Sequence, residues 1–333
     1  MSVAVGLGTS SMLDPRLDDA RALVRHGKIR AALDALAQLD GSAAGCSFER
    51  HDHAELVALT IECLLARGDT ALAASWGEQI SGLVIGRGAA TALYARGELA
   101  AAQDLPDRSR ELYLAAGEAE AAHAAGSPAP QHVPWRIGAA LALVRCGDRR
   151  GAGDLAQTEH ELCLSRGEAH DTARALRALA TTVADGRSAR RLEEARALLG
   201  ADESRRLAAQ IDTDLAGLLV LGGELPRATA LLRNAERYAA REDLWPLQSR
   251  VRRLLERIGE TPRRLEAEAL AVLTNAERGV ALLALDGLSN RQIAEQLVVS
   301  VKAVEGHLSK TYRKLGVSTR RGLAVTVGRV ASS

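Results

Sequence analysis

The 333-residue sequence predicts an all-α fold in two parts: an array of helical hairpins, then four short helices around a helix-turn-helix. Three observations predict it. Alanine and leucine dominate from Leu17 to Ile258, with little of the β-branched alternation that marks strands. A glycine followed by a polar residue recurs where one helical stretch ends and the next begins. The last sixty residues carry two capping boxes, in which a hydroxyl takes the N–H three residues on and a Glu or Gln reaches back.

Taken in order, Met1 to Leu13 is uncharged and Gly/Ser-rich without a basic stretch, so residues 1–14 are expected to be a disordered leader, not a signal peptide. Residues 15–258 form the array. Its turns are expected at Gly27, Gly68, Gly97, Gly147, Gly186 and Gly222–Gly223, spaced 29 to 50 residues apart. That spacing brackets the period of about 34 residues of tetratricopeptide-like hairpins. After the turns, alanines at helical spacing (Ala71 and Ala74; Ala228 and Ala230) let a second helix lie close to the first. Three prolines in Gly126–Pro134 interrupt the array, predicting a long loop between two halves. Residues 259–269, with Pro262, read as a linker.

Residues 270–333 form the second domain. Thr274 with Glu277 and Ser289 with Gln292 are the capping boxes, and Gly287 and Gly316 sit where helices must end in a left-handed residue. Helices are therefore predicted over about 290–297 and 301–315. Only Val298, Val299 and the cap Ser300 lie between, and so short a connection forces a steep crossing. Ile293, Leu297, Val304 and Leu308 are expected to point inward, backed by Val280, Leu283 and Leu323. The outer face carries Lys302, Glu305, Ser309, Lys310, Arg313 and Lys314. From Arg291 to Arg329 eight Lys/Arg face two acids, a net of +6, the electrostatic footprint of a DNA reader.

Four strings carry a resemblance: Leu273-Thr-x-x-Glu277, Gly287-Leu-Ser-Asn-x-x-Ile-Ala-x-x-Leu297, Val299-Ser-x-Lys-x-Val-Glu-x-His-Leu308 and Tyr312-Arg-Lys-Leu-Gly-Val-x-x-Arg320. Together they resemble the LuxR-type helix-turn-helix domain of bacterial transcription regulators. Ala276 stands where the family often has Arg, and Ala303 replaces the usual Thr at the start of the recognition helix. Segments 227–236 and 253–264 resemble the superhelical region of the large ATP-binding LuxR-type regulators. The Gly-x-x-x-x-Gly-Lys-Ser/Thr string of their nucleotide-binding module does not occur, so the sequence looks like the C-terminal half of such a regulator.

The resemblance implies the site residues. Lys302, Lys310, Arg313 and Lys314 are expected to neutralise phosphates, which adds affinity without base preference. The helix starts at Ser289–Asn290 and at Ser300–Ala303 can offer backbone N–H groups to phosphate. Base reading is expected from Glu305, Gly306 and Ser309, since Glu accepts from a cytosine amino group and Ser serves several bases. His307 is expected to pack. Leu323, Val325 and Val327 on the last helix are expected at a dimer contact, which would pair two recognition helices on palindromic promoter DNA.

Composition narrows the rest. The overall charge is +1, but residues 261–333 carry a net of +5 and the remainder −4. That asymmetry suits a protein that meets nucleic acid at one end. Cys46, Cys63, Cys146 and Cys163 lack Cys-x-x-Cys spacing and read as reduced thiols in a cytoplasmic protein. No uncharged run reaches the roughly 20 residues a membrane span needs. His160-Glu161 lacks the second His of a zinc-protease motif. His51-Asp52-His53 diverge around a helix and cannot converge on one ion. No catalytic constellation, cofactor or metal site is expected. Trp76, Trp135 and Trp245 are expected between repeats, the alternative being the concave surface. The sequence thus predicts a dimeric, sequence-specific transcription regulator whose repeats meet an effector molecule, another protein or RNA polymerase. The competing reading is an interaction scaffold, or partner of a larger regulator, with weak or lost DNA binding.

Overall fold

A computed structural model describes residues 15–43, 50–124, 133–200, 204–260, 273–285, 288–297, 299–320 and 322–323. All regular structure among them is helical, and the chain divides into two compact units, Met1–Glu260 and Thr261–Ser333. The expected leader, residues 126–132 of the expected break at 126–134 and the linker residues 261–269 lie outside the described residues, while Val133 and Pro134 lead directly into the helix that starts at Trp135.

Among the described residues of the first unit thirteen helices follow one another: α1 (Pro15–His26), α2 (Ile29–Ala43), α3 (Arg50–Arg67), α4 (Thr70–Glu78), α5 (Ala89–Ala102), α6 (Pro106–Ala124), α7 (Trp135–Arg145), α8 (Arg149–Arg166), α9 (Ala169–Thr182), α10 (Ser188–Leu198), α11 (Arg205–Leu221), α12 (Leu225–Arg241) and α13 (Trp245–Arg257). Each odd-numbered helix from α1 to α11 packs on the next helix in sequence, and α1, α3, α5, α7 and α9 also pack on one another in turn. The result is a tetratricopeptide-like array with an inner layer of odd helices and an outer layer of even ones. Aliphatic side chains such as Leu36, Ile61, Ile211, Leu232 and Leu255 fill the space between layers and are fully buried. Truncating one of them to Ala would cost about 2–5 kcal/mol.

Five of the expected turns are present. Gly27, Gly68, Gly147, Gly186 and Gly223 hold φ between 74° and 90° at helix junctions, a conformation without steric cost only for glycine. Gly97 is different. It lies inside α5, and a Cβ there would come within 2.7 Å of the Tyr113 ring. Gly138 on α7 meets the same ring from another side, at 2.5 Å. The two glycines are thus a slot for Tyr113 of α6, not a turn; the chain turns later, at Asp104 with φ 63°.

The array also meets itself. α13 packs on α3 and α1 touches α11. The Tyr238 hydroxyl donates to the Gly27 carbonyl at 2.7 Å, and Arg206 pairs with Glu62 at 2.6 Å. A simple solenoid repeat contacts only its neighbours; here the inner helices close around a central cavity. Trp76 and Trp135 sit half-buried among the helices, and the Trp135 indole N–H donates to Glu120 at 3.0 Å. None of the three tryptophans lines the cavity. Burial pushes the Cys63 and Cys163 thiols up to about 12, as suits inert core residues.

Candidate nucleic-acid interface

In the second unit α14 (Asn275–Leu285), α15 (Asn290–Leu297) and α16 (Val301–Leu315) start where their caps dictate. The Thr274 N–H donates to Glu277 Oε2 at 2.9 Å and the Glu277 N–H to Thr274 Oγ1 at 3.3 Å. Ser289 and Gln292 make the same reciprocal pair, at 2.8 and 3.4 Å. Ser300 has extended backbone, and its Oγ accepts from the Ala303 N–H at 3.1 Å. Gly316, at φ 66°, ends α16. Gly287, the other expected stop, lies outside the described residues.

Val280, Ala284, Ile293, Ala294, Val304 and Leu308 form the core where α14, α15 and α16 meet. Leu297 does not join them. It is 38% exposed, because Ile293 and Ala294 already occupy the buried stripe and Leu297 ends its helix at the turn. Leu323 is fully buried with Leu273 and Ala281 in the unit's own core, leaving no side-chain surface for a second copy. Val325 and Val327 lie outside the described residues.

With that core below it, α16 turns Lys302, Glu305, Gly306, Ser309, Lys310 and Arg313 outward, all exposed. The spacing of three, four, four from Lys302 through Glu305 and Ser309 to Arg313 keeps one stripe along the helix. Lys302, Lys310 and Arg313 make no ion pair among the described residues. Lys314 departs from the expectation. Its ammonium lies 2.6 Å from the Glu277 carboxylate, which is 5% exposed and also closes the first capping box. The Lys314 hydrogen bond, then those from the Thr274 end, hold that carboxyl down at about 2. Lys314 therefore ties α16 to α14.

The other helix-start residues are also engaged. The Ser289 hydroxyl donates to Gln292 and the Ser300 hydroxyl serves as cap, so both leave backbone N–H groups as what they can offer. Ala303 and His307 are half-buried. Asn290 is half-buried and lines a shallow groove with Glu305, Ser309, Arg313 and Arg320. Arg320, which closes the Tyr312–Arg320 string, joins the groove although its sequence position alone marks it only as part of that string; its Nη2 is buried without a hydrogen-bond partner among the described residues.

Residues 271–327 match the profile of the family described as bacterial regulatory proteins, luxR family. The second unit carries a LuxR-family domain. Three relatives, one from Mycobacterium bovis and two from Mycobacterium tuberculosis, are named HTH-type transcriptional regulators. Each is 39% identical over 74 residues, which is 22% of this chain and 8% of theirs. The chain thus spans a small part of the length of these relatives. Among solved structures, the apo form of the quorum sensor NprR from B. thuringiensis aligns over 96% of this chain and 95% of its own at 13% identity, with a TM-score of 0.46. BtubC from P. vanneervenii aligns over 69% and 92% at 15% identity, with a TM-score of 0.42. In the LuxR-family domain the exposed stripe of α16 begins in the string Val299–Leu308, runs on to Arg313, and lies wholly inside the matched residues. Among the described residues no cluster of metal-ligating side chains occurs and no helix is long and apolar enough to cross a membrane.

Proposed function

We propose that this chain is a sequence-specific transcription regulator of the cytoplasm, with α16 as its recognition helix and the helical repeats as its sensor. One observation carries the reading: within a LuxR-family domain, Lys302, Lys310 and Arg313 stand exposed along one face of α16 with no ion-pair partner among the described residues. Each can neutralise a phosphate and release its counterions. Glu305 and Ser309 lie between them on the same stripe, where a groove-bound helix presents side chains to base edges. Gly306 allows close approach of the backbone, and Arg320 extends the cationic side of the groove. Two chains paired about a two-fold axis would place two α16 helices about 34 Å apart on a palindromic site. The repeats would then pass a signal to that pair, or offer RNA polymerase a contact.

The test is a mobility-shift titration against salt on promoter fragments. Lys302→Ala and Lys310→Ala are each expected to lower the slope of log affinity against log salt by about 1. Glu305→Ala is expected to change which base is preferred at one position more than overall affinity. Unchanged slopes in both lysine variants would overturn the phosphate assignment. Absence of any DNA binding would favour the scaffold reading, in which the domain meets a larger regulator.

A further inference from the structure

We propose that the central cavity of the helical unit is the binding site of a small anionic ligand carrying carboxylate or phosphate groups. This deepens the sensor reading of the repeats and rests on it. The cavity has a volume of about 710 Å³. Sites for small molecules typically run from about 300 to 1,000 Å³. All seven inner helices contribute to its wall, so a ligand there touches both ends of the array at once.

The charge of the wall selects the class. Along α9, His170, Arg174, Arg177 and Thr181 follow at spacings of four, three and four and face the cavity, while Ala173, Leu176 and Leu179 of the same helix are buried in the core. Asp214 is shared by Arg177 at 2.6 Å and Arg250 at 2.5 Å. Asp171 is shared by Arg174 at 3.0 Å and Arg25 at 3.8 Å. The wall as a whole carries seven arginines against four acidic side chains, with Arg21 and Arg145 paired to acids behind the wall and Glu168 beside Asp171. Arg206 and Glu62 balance each other. On the far wall Glu98 accepts from the Tyr113 hydroxyl at 2.6 Å, and burial raises its pKa.

The second observation concerns donors. Arg174 Nε is buried and has no hydrogen-bond partner among the described residues. A buried donor without an acceptor costs about 1–3 kcal/mol, and such groups in folded proteins are ordinarily satisfied. A carboxylate or phosphoryl oxygen would satisfy it, and the planar guanidinium fork fits either group in bidentate geometry. A cation would meet the surplus positive charge, and a neutral molecule would leave it uncompensated.

The test uses the whole protein and three probes, citrate, pyrophosphate and neutral glucose, at constant ionic strength. Calorimetric titration is expected to show one saturable site per chain for citrate, pyrophosphate or both, and none for glucose; the preferred anion identifies the source group. R174Q/R177Q is expected to bind at least tenfold more weakly. K302A/K310A, on the other unit, is expected to bind the anion as the unmodified chain does. If R174Q/R177Q does not fold, Arg250→Gln takes its place and is expected to weaken binding several-fold. No saturable site for either anion overturns the proposal, as does undiminished binding in the arginine variants or loss of binding in K302A/K310A. The same preparations go into the mobility shift. Anion binding without DNA binding would refute the regulator reading and leave the cavity site standing; DNA binding without anion binding would do the reverse.

Discussion

Two helices of this protein each carry a stripe of cations, and they handle charge in opposite ways. On α9, Arg174 and Arg177 face the central cavity, and each has a carboxylate within 3.0 Å. On α16, Lys302, Lys310 and Arg313 face outward and have none among the described residues. The difference follows from solvation. A charge removed from water must be paired or its burial destabilises the fold, whereas an exposed charge is screened by solvent and stays available. The cations along the cavity are all arginine, whose planar fork can share one carboxylate with another guanidinium. Those on α16 include lysine, adequate for contact with a phosphate as a point charge. Lys314 shows the rule within α16 itself: one turn from Lys310, it meets the buried Glu277 and becomes structural.

Protonation gives the largest expected effect. His170 accepts or donates at 2.5 Å to Ser204, and burial, then nearby Arg174, lowers its pKa from 6.5 to about 4. Because the folded form resists the proton, the unfolded chain takes it first, and stability present above pH 6.5 is lost as pH falls toward 4. Denaturant melts across that window should show a loss of at most about 3 kcal/mol in the helical unit. His170→Asn should flatten the dependence; an unchanged slope would show that the cavity wall is wetter than its packing indicates.

Gly138→Ala should come next. It places a Cβ 2.5 Å from the Tyr113 ring, and overpacking of that kind costs about 1–3 kcal/mol. Only the transition of the helical unit should move. Lys314→Ala should lower the melting temperature of the small unit and leave the salt slope of DNA binding unchanged, the reverse of Lys310→Ala. If both variants changed the slope alike, the contrast between them would collapse. The smallest effect runs the other way. At Gly306 a Cβ would meet open space in mid-helix, so Gly306→Ala should stabilise the small unit by about 0.5–1 kcal/mol. It should weaken DNA binding if the backbone there lies close to a base.

The sequence was most legible where structure is local. Capping boxes and left-handed glycines act within four residues, so the starts of α14, α15 and α16 could be placed from Thr274, Ser289 and Ser300 alone. Gly97 resisted because a turn glycine and a packing glycine look the same until Tyr113 is known to lie against it. Lys314 resisted for the same reason, since its partner Glu277 is 37 residues away. Leu297 fits the helical period yet ends its helix exposed, because periodicity cannot say where a helix stops contributing to a core. The cavity was invisible in the sequence. Its arginines and aspartates are scattered over the chain and read as ordinary surface charge on amphipathic helices.

The hydrogen bond from Tyr238 to Gly27 spans 211 residues. During synthesis at about 5–20 residues per second, the segment that completes this contact reaches the growing chain roughly 10 to 40 s after the segment that awaits it. For that interval α1 and α3 hold their future partner surfaces open to water. Holding a nascent chain through that window is a task for a chaperone, and a pause in synthesis before Leu225 would prolong it.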